Sequence, residues 1–144
     1  MGESVDETSA GTEADRELVC LAFCEHRFDD LLSHLAADVR WTIPGYMVLE
    51  GADALMRTCR ETAGSMEGTT FATDRLVVVH GGNQGKEVVV VDSFNRYQGP
   101  GGVTAVSRCH IFEFEGPKVV AITSYAVEVD PENIGAPASV QPSV

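Results

Sequence analysis

Four side chains in the C-terminal half of the sequence have the types and spacing for proton chemistry: Asp92, Arg108, His110 and Ser124. Alternation along a strand puts Asp92 on one face with Val88, Val90 and Phe94, and Arg108 on one face with His110, Phe112 and Phe114. A reversal centred near Pro100 pairs Asp92 with Arg108, and one centred near Pro117 pairs His110 with Ser124, each to within about one residue. An imidazole serves as acid or base near neutral pH, a carboxylate orients it or a water, and a guanidinium stabilises an enolate or oxyanion. The expected catalytic residues are therefore His110, Asp92 and Arg108, with Ser124, Phe94 and Phe112 in the binding wall. The plainer alternative is that Asp92 and Arg108 form a buried ion pair that orders the sheet.

The other candidates are weaker chemically. His26 and His34 lie on or beside helices without a second ligand at metal spacing, and His80 abuts a turn, so all three read as surface or structural residues. Cys20, Cys24, Cys59 and Cys109 show no Cys-x-x-Cys pairing and read as small buried hydrophobes. No metal or organic cofactor is expected.

The elements that must position the cluster follow from periodicity. Thr12 with Asp15 makes an N-cap pair, and the spacing of Ala14, Leu18, Leu21 and Ala22 predicts a helix to about His26. A second short helix, capped by Asp29 or Asp30, buries Leu31, Leu32 and Leu35 and ends near Ala37, feeding a strand over Val39 to Ile43. After Gly51, the spacing of Leu55, Met56, Cys59 and Ala63 predicts a third helix to Gly64. Strands then follow over Phe71 to His80, Lys86 to Tyr97, Val103 to Glu115 and Lys118 to Glu128, joined by glycine-bearing turns that make hairpins. The fold class is α+β: three N-terminal helices packed on a curved antiparallel sheet, with a pocket between them. Val77 to Val79 and Val88 to Val91 are apolar at both parities, so both sheet faces should be covered, the outer one by a second copy of the chain.

One domain is expected over 12–134, flanked by a disordered leader over 1–11 and a disordered tail over 135–144. Apolar residues make up 44% of the chain, with no run long enough for a membrane helix. The net charge of −12 repels phosphate backbones and anionic membrane surfaces, so neither nucleic acid nor membrane is an expected partner. The start lacks a basic segment followed by an apolar one, and a cytoplasmic protein is expected.

The strings Phe28-Asp29-Asp30-Leu31-Leu32, Asp38-Val39-Arg40-Trp41-Thr42-Ile43-Pro44-Gly45, Leu49-Glu50-Gly51-Ala52-Asp53-Ala54-Leu55 and Phe112-Glu113-Phe114-Glu115-Gly116, in this order of elements, resemble the nuclear transport factor 2-like superfamily and its SnoaL-like polyketide cyclase branch. The resemblance spans about residues 13 to 130. It implies a cone-shaped barrel whose internal cavity holds a small, often cyclic and oxygenated ligand. It also places Arg40, Trp41, Thr42 and Tyr46 at the cavity mouth as substrate-binding residues. In the family's cyclases a strand His works beside an Asp on the final strand; His110 resembles the first, while Ser124 stands at the second position. The family's ketosteroid isomerases take their base from a first-strand carboxylate, and Arg40 to Ile43 carries none. Its epoxide hydrolases use an Asp-Arg-Asp cluster, of which Asp92 and Arg108 resemble a part. The implied activity is cofactor-free acid–base chemistry on a polyketide-, terpenoid- or steroid-like molecule: cyclisation, isomerisation, hydration, dehydration or epoxide opening. The alternative is a non-catalytic ligand-binding or dimeric scaffold protein.

Overall fold

A computed structural model describes residues 12–133. The expected leader over 1–11 and the expected tail over 135–144 lie outside the described residues. The chain forms α1 (Glu13–Cys24), a 3-10 turn (Leu32–His34), β1 (Leu35–Ile43), β2 (Met47–Glu50), α2 (Ala52–Ser65), β3 (Thr70–Asn83), β4 (Lys86–Gly99), β5 (Gly102–Glu115), β6 (Lys118–Val129) and a closing 3-10 turn (Pro131–Asn133). Thr12 caps α1 by accepting from the Asp15 backbone N–H at 3.0 Å.

Among the described residues there are two α-helices rather than the expected three. The segment after Asp29–Asp30 makes only a single 3-10 turn, because Leu35 already belongs to β1 and a helix that short does not recover its nucleation cost. Leu31 and Leu35 are buried all the same, but Leu32 is 46% exposed, because the 3-10 turn and strand do not keep the three on one face.

The sheet runs β2-β1-β6-β5-β4-β3. All neighbours pair antiparallel except β1 and β6, which run parallel, so the sheet is mixed rather than purely antiparallel. Its two ends do not meet, and no closed barrel forms. Register shifts at Leu35/Arg40, Thr73/Arg75 and Glu113/Phe114 bend the strands and curve the sheet around the helices. α1 lies against β4, and α2 against β1 and β2. Among the described residues, no helix is long and apolar enough to cross a membrane.

Strand parity separates two surfaces. On the inner face stand Val89, Val91, Ser93, Asn95 and Tyr97 of β4, and Arg108, His110, Phe112 and Phe114 of β5. Phe23 of α1 is the hub, edge-on to Phe28, Trp41, His110 and Phe112 with centroids 5.2 to 6.2 Å apart. Phe112 is buried beneath these rings. Truncating it to Ala should cost about 3–5 kcal/mol, whereas Val79→Ala on the outer face should cost under about 1. Urea unfolding of the two variants checks this, and equal losses would contradict the assigned faces.

Candidate active site

The β4–β5 pairing decides which polar groups share the inner face. Gly99 pairs with Gly102 across a two-residue turn, which places Ser93 opposite Arg108 and Asp92 opposite Cys109. The expected Asp92–Arg108 pair is therefore one residue out of register, and the two side chains face opposite sides of the sheet. On the outer face Asp92 pairs with Arg75 instead. Phe94 stands beside it there, outside the cavity. Arg40 also faces outward and bridges Glu50 at 3.3 Å. Thr42 is on that same side, between Val48 and Thr123. Tyr46 is 78% exposed in the β1–β2 turn.

The β5–β6 register sets His110 opposite Ser124. These two residues, with Arg108 and Trp41, do come together on the wall of an internal cavity of about 190 Å³. Phe23, Phe28, Ile43 and Ala126 supply apolar lining, and Cys24 and Cys59 contribute two more small side chains. Burial, partly offset by Arg108, pushes the Cys24 thiol up to about 12, which leaves no thiolate nucleophile there near neutral pH. Among the described residues no carboxylate lines the cavity, and no group of three or more His, Cys, Asp or Glu side chains is placed to hold a metal ion.

Two hydrogen-bond chains organise the wall. In the first, the indole Nε1–H of Trp41 donates to Ser124 Oγ at 2.9 Å, and Ser124 Oγ lies 2.7 Å from His110 Nδ1. An indole only donates, so the Ser124 hydroxyl hydrogen is free for His110 Nδ1. Ser124 Oγ also keeps a second lone pair, so it serves either neutral tautomer of His110, donating to a bare Nδ1 or accepting from Nδ1–H. In the second chain, Arg108 Nη1 donates to Asn95 Oδ1 at 3.4 Å and to the Tyr97 phenol oxygen, over whose ring the guanidinium also sits. The same phenol is 3.0 Å from His26 Nε2.

Both cavity imidazoles are held neutral. Burial first, then the cation of Arg108, and last the His26 ring lower the His110 pKa from 6.5 to about 3. Burial and Arg108 lower His26 to about 4. His26 was read as structural or surface; it lines the cavity because a left-handed backbone (φ 61°) just past α1 turns it against Phe28, Phe71 and Tyr97. Asn95 and Tyr97 were also missed. The signal for both lay in the turn: a two-residue loop at Pro100-Gly101 puts their parity inward. His80 bonds Glu17 at 3.0 Å and His34 lies on a separate groove beside α1, both away from this cavity.

The chain belongs to the SnoaL-like domain family, whose model matches residues 16–122. Among curated proteins no sequence matches it. Its fold is similar to that of an NTF2-like protein of unknown function from Cytophaga hutchinsonii, at 24% identity and TM-score 0.66 over 81% of this chain and 100% of that one. It is also similar to SalBIII, an epoxide hydrolase/cyclase-like enzyme in pyran ring formation of the polyether salinomycin (15% identity, TM-score 0.59, covering 80% and 92%). A putative polyketide cyclase from Xanthomonas campestris pv. campestris is a third such structure (14%, 0.57, covering 78% and 90%). These likenesses show an NTF2-like fold that carries cyclases and epoxide hydrolase-like enzymes alongside proteins of unknown function.

The buried imidazole has a measurable signature. Below about pH 6.5 the unfolded chain takes up a proton on His110 that the folded chain refuses down to about pH 3, so the stability present above pH 6.5 is lost as pH falls through that window. The slope for this one group is about 1.4 kcal/mol per pH unit. Between pH 7.5 and 5.0, wild-type protein should lose about 2 kcal/mol more unfolding free energy than His110→Asn, measured by denaturant unfolding. Identical losses would mean that His110 is not held neutral by the fold.

Proposed function

We propose that the protein is a cofactor-free enzyme that moves a proton next to a carbonyl of a small oxygenated molecule held in the inner cavity. The observation that carries this reading is the Trp41–Ser124–His110 chain, which ends on an imidazole at an apolar wall beside Arg108. His110 Nε2 has no partner among the described residues and is not sealed off, so in the Nδ1–H tautomer, with Ser124 Oγ accepting, its lone pair takes the substrate proton and the ring later returns it. Arg108 holds a ligand oxygen that carries or gains negative charge, and the aromatic walls limit water beside the charged intermediate. Isomerisation and the loss or addition of water beside a carbonyl fit this set. Epoxide opening by carboxylate-activated water and carboxylate-assisted cyclisation lose support, since Asp92 points to the other face.

A second reading, ligand binding without turnover, is favoured by one observation. Among the described residues no carboxylate stands behind His110 to stabilise an imidazolium, and its pKa of about 3 makes it a weak base. A thermal-shift screen of polyketide, terpenoid and steroid compounds, with product analysis of each hit, separates the two. On a true substrate, His110→Ala should lower turnover about a hundredfold or more while the protein stays folded. Near-normal turnover would remove His110 from the chemistry, and hits that emerge unchanged would favour the binding protein.

We also propose that the outer sheet face pairs with a second copy of the chain. Val77 and Val79 of β3, Phe94 of β4, Ile111 of β5 and Tyr125 and Val127 of β6 share that face, and Val127 is 62% exposed. Sedimentation equilibrium should report a dimer at micromolar concentration, and Val79→Glu with Val127→Glu should give a monomer. A monomeric wild-type protein at tens of micromolar would end this part of the reading.

A further inference from the structure

The charge on the cavity wall is unbalanced. Arg108 is the one formally charged side chain among the described residues that line it, since His26 and His110 are neutral there. Its hydrogen bonds all leave from Nη1, and both acceptors, Asn95 and the Tyr97 phenol, are uncharged. Burial keeps Tyr97 protonated by raising its pKa, an effect that Arg108 only partly offsets. Among the described residues no carboxylate bridges Arg108, although the chain as a whole carries a net charge of −12. Nε and Nη2 make no hydrogen bond to the described residues and are not sealed from the cavity.

A half-buried cation with neutral supports and one free edge is built to receive an anion. The edge formed by Nε and Nη2 is the geometry that takes both oxygens of a carboxylate at once. Neutral partners hold the guanidinium in place without neutralising it, so its field is left for the ligand.

Size narrows the ligand further. A dry cavity of about 150 Å³ accepts a benzene ring. A cavity of about 190 Å³ therefore encloses one ring with a short branch, and a fused multi-ring skeleton would extend past its mouth. Arg108 and His110 are two residues apart on one strand face, about 7 Å along it, which suits an anionic head on the first and a ring position near the second.

We propose that this pocket selects a single-ring molecule, or one of equal length, that carries a carboxylate, with Arg108 as the anchor of that group. The inference deepens the proposed function and rests on it. It narrows the ligand from oxygenated molecules in general to small monocarboxylic acids.

Benzoate and benzamide test it, because they match in shape and differ in charge. Trp41 is the only tryptophan and lies on the cavity wall, so its fluorescence reports binding of either compound. At pH 7.5 and low salt, wild-type protein should bind benzoate about tenfold or more tighter than benzamide, and added KCl should shrink that ratio. In Arg108→Gln the ratio should fall to about one while benzamide binding persists, which shows an intact cavity. The wild-type comparison stands alone if that variant fails to fold. Equal affinity of wild-type protein for the two compounds overturns the carboxylate assignment and leaves the cavity as a binding site. No response of Trp41 to either compound at millimolar concentration overturns both.

Discussion

A single guanidinium, held on the inner wall by neutral acceptors, is the charge whose field every other cavity group among the described residues feels. Arg108 helps to keep both imidazoles unprotonated, and its hydrogen bond to Tyr97 ties that phenol to His26. Through these contacts the end of α1 is linked to β4 and β5, so the cation is part of how the helix is seated. Had Asp92 shared its face, the two charges would have neutralised each other and the wall would have carried no net field.

The fold contributes the dryness that gives this field its strength. Bulges curve the sheet, α1 lies across β4, and Phe23 carries aromatic packing from the helix to Trp41, His110 and Phe112. The same packing that stabilises the core excludes water beside the imidazole. Burial is accordingly the largest cause of the low His110 pKa, with Arg108 second. The core and the site are one construction here, and a loss of packing at Phe23 would also wet the charged groups.

Strands, the cap of the first helix and the helix after Gly51 were legible because caps, periodicity and glycine turns act locally, although the first helix buries Val19, Cys20 and Phe23 and leaves Leu18 exposed. Register was harder, since one residue of slip reverses a face. Centring the β4–β5 reversal on Pro100 sent Asp92 and Phe94 inward on paper; the real turn has two central residues, Pro100 and Gly101, and exchanges the parities. At the next turn Glu115 pairs with Lys118, a register that by itself would set His110 opposite Thr123. The shift between Glu113 and Phe114 adds one residue on β6 and brings Ser124 across instead. The parallel β1–β6 pairing, like the mixed sheet it creates, is long-range and left no mark in local spacing. His26 escaped notice for a related reason: its position depends on a left-handed turn that no periodicity encodes.

Ser124 shapes what His110 is able to do. An aspartate at this position would accept only, fix the Nδ1–H tautomer and stabilise an imidazolium. A hydroxyl donates or accepts, so it tolerates either tautomer of a neutral ring and offers little to a charged one. Trp41 occupies one lone pair of Oγ and leaves the other lone pair and the hydroxyl hydrogen to serve Nδ1. With Nδ1–H given to Ser124, the ring presents a bare Nε2 lone pair, near a guanidinium that presents N–H groups. A lone pair and a cation facing one cavity make a site that takes a proton from the ligand while holding ligand oxygen of negative character, and the imidazolium so formed returns that proton.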